Sequence, residues 1–230
     1  MAFQGFSQKA VKYLHDVYWN NSKLWYEAHR KDFERYLKEP FTEMILSLTP
    51  QMRKIDPAFI LEPKRCLARI YRDVRFSRDG SLYRNRLWLT FKRASDNWLE
   101  IPAFFFELTE NDCSYGMGYY TAKASDMADF REYICQNPRS FRKAVAAINE
   151  DGNLSLRGEK YKKQKPDAPK GLEDWFWFKN FYVGASLPLQ VAFSPEILEI
   201  VSSGFEKIAE LYRILAFDIP EMKEERQFEK

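Results

Sequence analysis

The segment KRCLARIYRDVRFSRDGSLYRNRLWLTFKR, from Lys64 to Arg93, decides both the predicted fold and the predicted site. It holds ten lysines or arginines against two acids, Asp73 and Asp79. The segment therefore carries +8 within a chain of net charge +3, and the remaining residues sum to −5. Like charges at this density raise the free energy of the folded state unless something offsets them, which indicates a site for an anion.

Both ends of this segment alternate between apolar and polar side chains, which is the pattern of a half-buried β-strand. The apolar faces consist of Cys66, Ala68 and Ile70 in the first half and of Leu87, Leu89 and Phe91 in the second. The opposite face of each half carries basic and aromatic side chains. The sequence therefore predicts a β-hairpin with one core face and one basic-aromatic face.

The connection between the two predicted strands contains the turn signal Asp79-Gly80, but it is too long for a minimal hairpin. Long ordered connections are often functional, and guanidinium groups bind carboxylate or phosphate through paired hydrogen bonds. We expect these side chains to bind a ligand at one end of the sheet. The predicted ligand-binding residues are Arg69, Tyr71, Arg72, Asp73, Arg75, Asp79, Tyr83 and Arg84.

The same residues also fit a purely structural interpretation. Arg72 is adjacent to Asp73, and Arg78 is adjacent to Asp79. Such pairs commonly form an internal ion-pair network that holds a loop in place, and these networks perturb charges as binding sites do. The charge pattern alone favours neither interpretation.

The run IYRDVRFSRDGSLYRNRL resembles the signature of domain-of-unknown-function family 2461, a mostly bacterial family whose members carry a run close to RDVRFSKDKTPYKT. Leu82, Arg84 and Asn85 replace the usual Pro, Lys and Thr, and the resemblance extends from Phe3 to about Leu215. The family has no established activity, so the resemblance implies a fold and little chemistry. The residues on the family pattern are Arg69, Tyr71, Arg72, Asp73, Arg75, Phe76, Ser77, Asp79 and Tyr83.

Length and composition predict one globular domain. A chain of 230 residues with 45% hydrophobic content can bury one good-sized core, so we expect a single domain over residues 1–220 and a charged tail over 221–230. The sequence has no run of eighteen apolar residues, and its start lacks the features of a signal peptide, which predicts a cytoplasmic protein without membrane contact. The wide spacing of Cys66, Cys113 and Cys135 predicts buried free thiols.

Apolar periodicity predicts helices on both sides of four successive strands, and hence an α+β fold with an antiparallel β-sheet flanked by helices. Pro50 is expected to kink or break the third helix. After the hairpin, the third and fourth strands are Ile101 to Leu108 and Ser114 to Thr121. The predicted starts of the helices are the N-cap Ser7, Ser22, Pro40, the cap Ser125, Asn137-Pro138 and Ser194-Pro195-Glu196.

Two further stretches carry local expectations. Gly116 and Gly118 within the fourth predicted strand indicate a bulge or a close approach of backbone, and a ligand could be the approaching group. Four successive rings, Trp175 to Phe178, cannot all face inward on one helix or strand, so at least one should be exposed or cover the cleft.

The residue inventory offers few catalytic groups. His15 and His29 lie on predicted helices, where a hydrogen-bonded structural histidine is roughly three times as frequent as a metal ligand. Hydrolase and phosphate-loop motifs are absent from the sequence, and no cofactor or metal site is predicted. A carboxylate beside arginines has a lowered pKa and is a poor general base, so the sequence predicts binding without assigning catalysis.

Several hypotheses therefore stand side by side. The first is a module that binds a small ligand bearing phosphate or carboxylate in the arginine-rich cleft. The second is a single-stranded nucleic-acid binder, in which Tyr71, Phe76 and Trp88 stack on bases. A carboxylate pair that holds a divalent metal for phosphoester hydrolysis is a third possibility. In the last, the arginines pair internally and the rings near Trp175 bind a protein partner.

Overall fold

The computed structural model describes residues 3–73, 80–163 and 165–228. Within these ranges the chain forms helices and a five-stranded antiparallel sheet, which confirms the predicted α+β fold. The strands are β1 (Arg86–Phe91), β2 (Ala103–Thr109), β3 (Asp112–Gly118), β4 (Ser155–Arg157) and β5 (Tyr182–Pro188). The helices of the amino-terminal half are α1 (Gln8–Trp19), α2 (Lys23–Ala28), α3 (Arg30–Phe33), α4 (Glu39–Ile55) and α5 (Pro63–Cys66).

Further helices follow the first three strands. They are α6 (Ala124–Gln136), α7 (Pro138–Ala144), α8 (Ala146–Glu150), α9 (Leu189–Ala192), α10 (Glu196–Arg213) and α11 (Ile219–Phe228). Two π-helical segments, Glu34–Lys38 and Ile214–Asp218, each join two α-helices without a break. Short 3₁₀ turns occur at Trp98–Glu100 and Glu173–Trp177.

The strands lie in the order β1-β2-β3-β5-β4. Strand β4 runs antiparallel to β5, with Ser155 opposite Gly184 and Arg157 opposite Tyr182. The expected strands at Ile101 and Ser114 are present as β2 and β3, with shifted ends. The sequence interpretation missed β4 and β5, because a three-residue strand and a strand rich in small residues carry little alternating pattern.

The predicted helix boundaries hold in part. Ser7 caps α1, and its Oγ accepts a hydrogen bond of 3.3 Å from the Ala10 amide. Helix α4 continues past Pro50 to Ile55, so Pro50 does not break it. The expected cap at Ser125 is wrong, because Lys123 has the extended backbone of an N-cap and Ser125 already lies in the first turn of α6.

The chain divides into two compact units, and the division falls within β2, β3 and β5. The first unit comprises Met1–Phe91, Phe105–Tyr115 and Ser186–Ser203. Its core is aromatic: Phe6 stacks on Phe106 with ring centroids 5.7 Å apart and lies 4.9 Å from Phe41. Helix α4 faces this core with apolar residues at helical spacing, so its burial fixes its orientation within the unit. The buried residues of α4 are Phe41, Met44, Ile45, Leu48 and Met52.

The second unit comprises Lys92–Phe104, Gly116–Ala185 and Gly204–Lys230. Its core contains the Trp175 ring, which meets Phe141 edge-on at 5.1 Å and Phe181 at 5.5 Å. Trp175, Phe176 and Phe178 are buried, whereas Trp177 is half-buried. The backbone here is a 3₁₀ turn followed by extended residues. Successive side chains therefore point in directions that neither one helix nor one strand would give them. Three of the four rings can therefore be buried together.

Helix α11 extends to Phe228 within the region predicted as a charged tail, and its basic side chains Lys223 and Arg226 are paired with α6. Lys223 lies 3.1 Å from Asp126 and 3.0 Å from Asp129, and Arg226 lies 2.8 Å from Asp129. These contacts with Lys223 and Arg226 hold the pKa of Asp129 below its usual value, against the opposing effect of burial. The charges of residues 221–226 thus attach the carboxyl-terminal helix to the second unit.

The prediction of buried free thiols holds in part. Cys66 and Cys113 are buried free thiols, as predicted, while Cys135 is free but exposed. Among the helices of the described ranges, none combines the length and the hydropathy that crossing a bilayer requires.

Gly118 at the end of β3 supports one stability prediction. A Cβ at this position would lie 2.4 Å from the Phe181 carbonyl oxygen and from the Tyr182 Cα, so the group that approaches the glycine is the chain itself. We expect Gly118→Ala to lower the free energy of unfolding by about 1–3 kcal/mol, the usual cost of overpacking. Urea denaturation measures this change. Gly152→Ala is the control, because a Cβ there meets nothing within 4 Å, and an equal loss in both variants would contradict the prediction.

Candidate functional site

Residues 67–72 run antiparallel to residues 82–89, but the pairing changes register midway. Tyr71 bridges to Tyr83, and Leu67 bridges to Leu89. Six positions separate Tyr83 from Leu89, whereas four separate Leu67 from Tyr71, so the second segment contains two additional residues. The predicted second strand is confirmed as β1. The predicted first strand is wrong as a regular element, because Cys66 ends a short helix and the register change interrupts the ladder that follows.

The register change falls between two backbone hydrogen bonds. On one side the Arg84 amide donates to the Ile70 carbonyl at 2.9 Å, and on the other the Ala68 amide donates to the Trp88 carbonyl at 2.9 Å. Asn85 and Arg86 lie between these bonds, in the widened part of the pairing. Irregularities of this kind often redirect side chains beside functional sites.

The Arg84 side chain bridges the backbone at the register change. Its Nη1 donates a 2.6 Å hydrogen bond to the Arg69 carbonyl and another to the Tyr71 carbonyl. Its guanidinium group also lies over the Trp88 ring, 5.0 Å from the centroid. Because Ala68, Ile70 and Arg72 bond to residues 82–88, the Arg69 and Tyr71 carbonyls face the other side, and Arg84 has a structural role as their donor.

Asn21, between α1 and α2, attaches these helices to the same segment. Its Oδ1 accepts hydrogen bonds from the amides of Leu82 and Tyr83, at 2.6 and 3.0 Å. Its Nδ2 donates to the Tyr83 carbonyl at 3.0 Å and to the Val17 carbonyl at 3.2 Å. The Asn21 side chain therefore pairs with both the amide and the carbonyl of Tyr83, as the backbone of a neighbouring strand would.

Four tyrosines converge under this segment. Tyr26 stacks on Tyr83 at 4.7 Å and meets Tyr71 edge-on at 5.1 Å, while Tyr71 lies 5.0 Å from Tyr83. Tyr13 and Tyr26 each lie within about 6 Å of the Phe33 ring. Tyr13, Tyr26 and Tyr83 are buried, and Tyr71 is 46% exposed. Tyr71 is thus the solvent-facing member of a phenol cluster.

The buried phenols are uncharged over the whole physiological range. Burial is the main cause that raises the pKa of Tyr13, Tyr26 and Tyr83, and hydrogen bonding to Tyr71 contributes for Tyr26 and Tyr83. Among the described residues, no hydrogen-bond partner meets the buried Tyr13 hydroxyl. The cluster therefore supplies neutral hydrogen-bond donors, and one of them is unsatisfied.

A polar cleft of about 310 Å³ lies beside this cluster in the first unit. Arg72 reaches it from the segment before the register change, and Arg86 reaches it from the widened pairing. The β2–β3 turn forms the facing wall. The remaining lining residues are Asn85, Thr109, Glu110, Asn111 and Asp112. The cleft thus combines guanidinium, amide, hydroxyl and carboxylate groups.

The carboxylates of the turn already have partners. Thr109 Oγ1 donates a 2.7 Å hydrogen bond to Asp112, and Glu110 lies 3.0 Å from His15 Nδ1. Beside the cleft, Arg86 lies 3.6 Å from Glu107. Burial raises the pKa of Glu107, with Arg86 opposing this effect and Asp112 adding to it. The cleft therefore has a cationic wall and an acidic wall.

The structure places the predicted site residues in different surroundings. Arg72 lines the cleft, whereas Arg69, Tyr71 and Asp73 are exposed on the neighbouring segment. Tyr83 is buried in the phenol cluster, and Arg84 bonds to backbone. Two of the predicted residues, together with the base-stacking candidate Phe76, fall outside the described ranges. Those two residues are Arg75 and Asp79.

Several residues at the site were missed from the sequence. Arg86, Glu110 and Asp112 line the cleft, and Tyr13 and Tyr26 form the cluster from α1 and α2. The turn signal at Asn111-Asp112 placed Glu110 at a strand end, where polar side chains of a hairpin collect. Nothing in the helical pattern of α1 and α2 distinguished their tyrosines from other core rings.

The two histidines are hydrogen-bonded, as predicted. His29 Nδ1 is 2.8 Å from the Trp25 carbonyl oxygen, and its ring stacks on Trp25 at 4.1 Å. His15 contacts Glu110, as described above. Within the described parts of the chain, no three side chains of His, Cys, Asp or Glu come together as metal ligands.

These features define an α+β protein with a polar cleft beside an irregular, arginine-bridged hairpin. The chain belongs to the family described as conserved hypothetical protein (DUF2461), which matches residues 9–213. No curated protein matches the sequence. The roles of the polar cleft and of the tyrosine cluster must therefore be inferred from the chemistry of their own side chains.

The bridge made by Arg84 gives a testable stability effect. We expect Arg84→Ala to lower the free energy of unfolding by about 1.5–3 kcal/mol, because a charged donor that satisfies two carbonyls is lost. Arg84→Lys should recover only part of this, since an ammonium lacks the planar fork. Urea denaturation measures both variants. Arg65→Ala, on exposed α5, is the control, and an equally small change in all three variants would refute the structural role.

Removing the hydroxyl of Tyr13 and removing that of Tyr26 should have opposite effects on stability, because only the Tyr13 hydroxyl lacks a hydrogen-bond partner among the described residues. We expect Tyr13→Phe to leave stability unchanged or raise it by about 1 kcal/mol, because it removes a buried donor without a partner. Tyr26→Phe should lower stability by about 1 kcal/mol, because its hydrogen bond with Tyr71 is lost. Chemical denaturation compares the two variants. A loss of stability in Tyr13→Phe as large as in Tyr26→Phe would show that the Tyr13 hydroxyl is satisfied.

Proposed function

We propose that the protein binds a small ligand bearing a phosphate or carboxylate group in the cleft of Arg72 and Arg86. The observation that carries this proposal is that both arginines line one cleft together with the amides of Asn85 and Asn111. Guanidinium groups form charge-assisted, two-point hydrogen bonds with oxyanions, and the amides add neutral donors. This donor set matches the several acceptor oxygens of a phosphate or carboxylate.

The acidic wall narrows the ligand class. Glu110 and Asp112 face the same cleft as the arginines, and they can only accept hydrogen bonds when ionised. A simple polyanion would be repelled by this wall, whereas a ligand that also carries an amine or hydroxyl would be oriented by it. The proposed ligand therefore combines an anionic group with a hydrogen-bond donor.

The contacts at Trp88 favour this function over single-stranded nucleic-acid binding. Base stacking needs an open ring face, but Arg84 and Arg86 lie 5.0 and 5.9 Å from the Trp88 centroid. Tyr71 presents an exposed ring, yet it is joined to the buried tyrosines through edge contacts. A small ligand at Arg72 and Arg86 leaves the contacts of Arg84 with Trp88 and of Tyr71 with Tyr26 in place.

Isothermal titration calorimetry tests the proposal with a matched pair of probes. Phosphoethanolamine carries a phosphate and an amine, and ethyl phosphate lacks the amine. We expect phosphoethanolamine to bind more tightly, and Arg72→Gln or Arg86→Gln to weaken binding at least about tenfold, since a charge-assisted hydrogen bond contributes about 1.5–3 kcal/mol. Succinate serves as the carboxylate probe.

The control is Arg65→Gln, an exposed arginine of the same basic segment that lies outside the lining of the cleft. It should bind as the wild type does. Equal affinity of all four proteins, or no heat with any probe, would overturn the proposal. Binding of a single-stranded oligonucleotide with a steep dependence on salt would instead establish the nucleic-acid interpretation.

A further inference from the structure

The second unit contains a separate cavity of about 220 Å³ that the proposed function does not use. Its floor is the π-helical segment Ile214–Asp218 and the start of α11, and the facing wall includes Tyr119, directly after β3. Such π-helical insertions in longer helices are frequent at functional sites. Most of the lining is apolar. The apolar residues are Ile101, Pro102, Leu215, Ala216, Ile219 and Pro220.

Two tyrosine rings form walls that are already fixed in place. Tyr212 is 1% exposed and packs 5.3 Å from the Phe104 ring. The Tyr119 amide donates a 3.0 Å hydrogen bond to the Phe181 carbonyl, and the Tyr119 ring meets the Phe181 ring edge-on at 6.1 Å. Ligand pockets are usually preformed in this way, with apolar walls and a few placed polar groups.

Tyr119 contributes an uncharged polar group, its hydroxyl, to the lining of this cavity. Among the described residues, this hydroxyl forms no hydrogen bond with a protein group. Burial raises the pKa of Tyr119, so the hydroxyl stays protonated well above neutral pH. A phenol in this state donates one hydrogen bond, and the matching group on a ligand is an acceptor such as a carbonyl oxygen.

The charged residues at the cavity compensate one another. Lys223 lies 3.1 Å from Asp126, and Glu100 lies 2.7 Å from Lys123. Arg93 lies over the Phe217 ring, 4.3 Å from its centroid. The lining itself holds two cationic and two acidic side chains, namely Arg93, Lys223, Glu100 and Asp126. Because neither sign dominates, the cavity selects neither an anion nor a cation.

We infer that this cavity is a second ligand site, which binds a small, uncharged, largely apolar molecule with one hydrogen-bond acceptor directed at Tyr119. The apolar lining supplies most of the affinity through burial of the body of the ligand. The Tyr119 hydroxyl supplies orientation. This chemistry differs from that of the Arg72 and Arg86 cleft, so the inference stands whether or not the cleft binds an anion.

Fluorine NMR with two nearly isosteric probes tests the inference on the full chain. The para-fluoroacetophenone probe carries a carbonyl acceptor, and para-fluoroethylbenzene lacks it. We expect both probes to bind and Tyr119→Phe to weaken the carbonyl probe about five- to tenfold, the effect of one neutral hydrogen bond. The same variant should change the affinity of the apolar probe less than about twofold, because it keeps the ring.

Ala216→Leu supplies an independent test, because the added carbons fill the cavity and should abolish binding of both probes. Ala147→Leu, on exposed helix α8, is the matched control and should bind as the wild type does. Thermal unfolding of each variant checks that the fold is retained. Failure of both probes to bind the wild type, or an equal loss of both with Tyr119→Phe, would overturn the inference.

Discussion

The first unit depends on one constraint, which is that two segments of unequal length must pair along residues 67–72 and 82–89. The backbone groups of Ala68, Ile70 and Arg72 face the second segment, so the Arg69 and Tyr71 carbonyls face away from it and need other partners. Arg84 meets this requirement from within the longer segment. The same mismatch widens the pairing at Asn85 and Arg86, which is where the cleft lies. Arg84, which stabilises the backbone, and Arg86, which is proposed to bind the ligand, thus both lie at the register change.

Much of the fold could be predicted from periodicity. The cap at Ser7, the restart at Pro138 and the strands near Ile101 and Ser114 all rest on local chemistry that the structure retains. The register change could not be predicted, because an alternating pattern specifies which face of a strand is buried and not how many residues oppose one another. Strand β4 was missed because its three residues are too few to show an alternation of apolar and polar side chains.

The site was predictable by region and less so by residue. The basic segment contains both Arg72, which lines the cleft, and Arg84, which bonds to backbone, and charge alone could not separate the two. That distinction depends on where each side chain falls relative to the register change. The acidic wall comes from the distant β2–β3 turn, and the phenols of Tyr13 and Tyr26 come from helices, so only the tertiary fold assembles them. Arg84 therefore follows the structural interpretation, while ligand binding by Arg72 stays a prediction.

The position of β1 gives the irregular segment a consequence for solubility. β1 is one of the two edge strands of the sheet, with β4 at the other edge, and a long, flat edge strand offers unpaired backbone groups to other copies of the protein. Here that edge is covered near Leu89 by a segment that pairs briefly and then departs from regular geometry. The strand of another copy could not form a regular ladder here, because this part of β1 is already paired and the pairing segment is irregular. The irregular pairing thus leaves less of the β1 edge open to pairing with other copies of the protein.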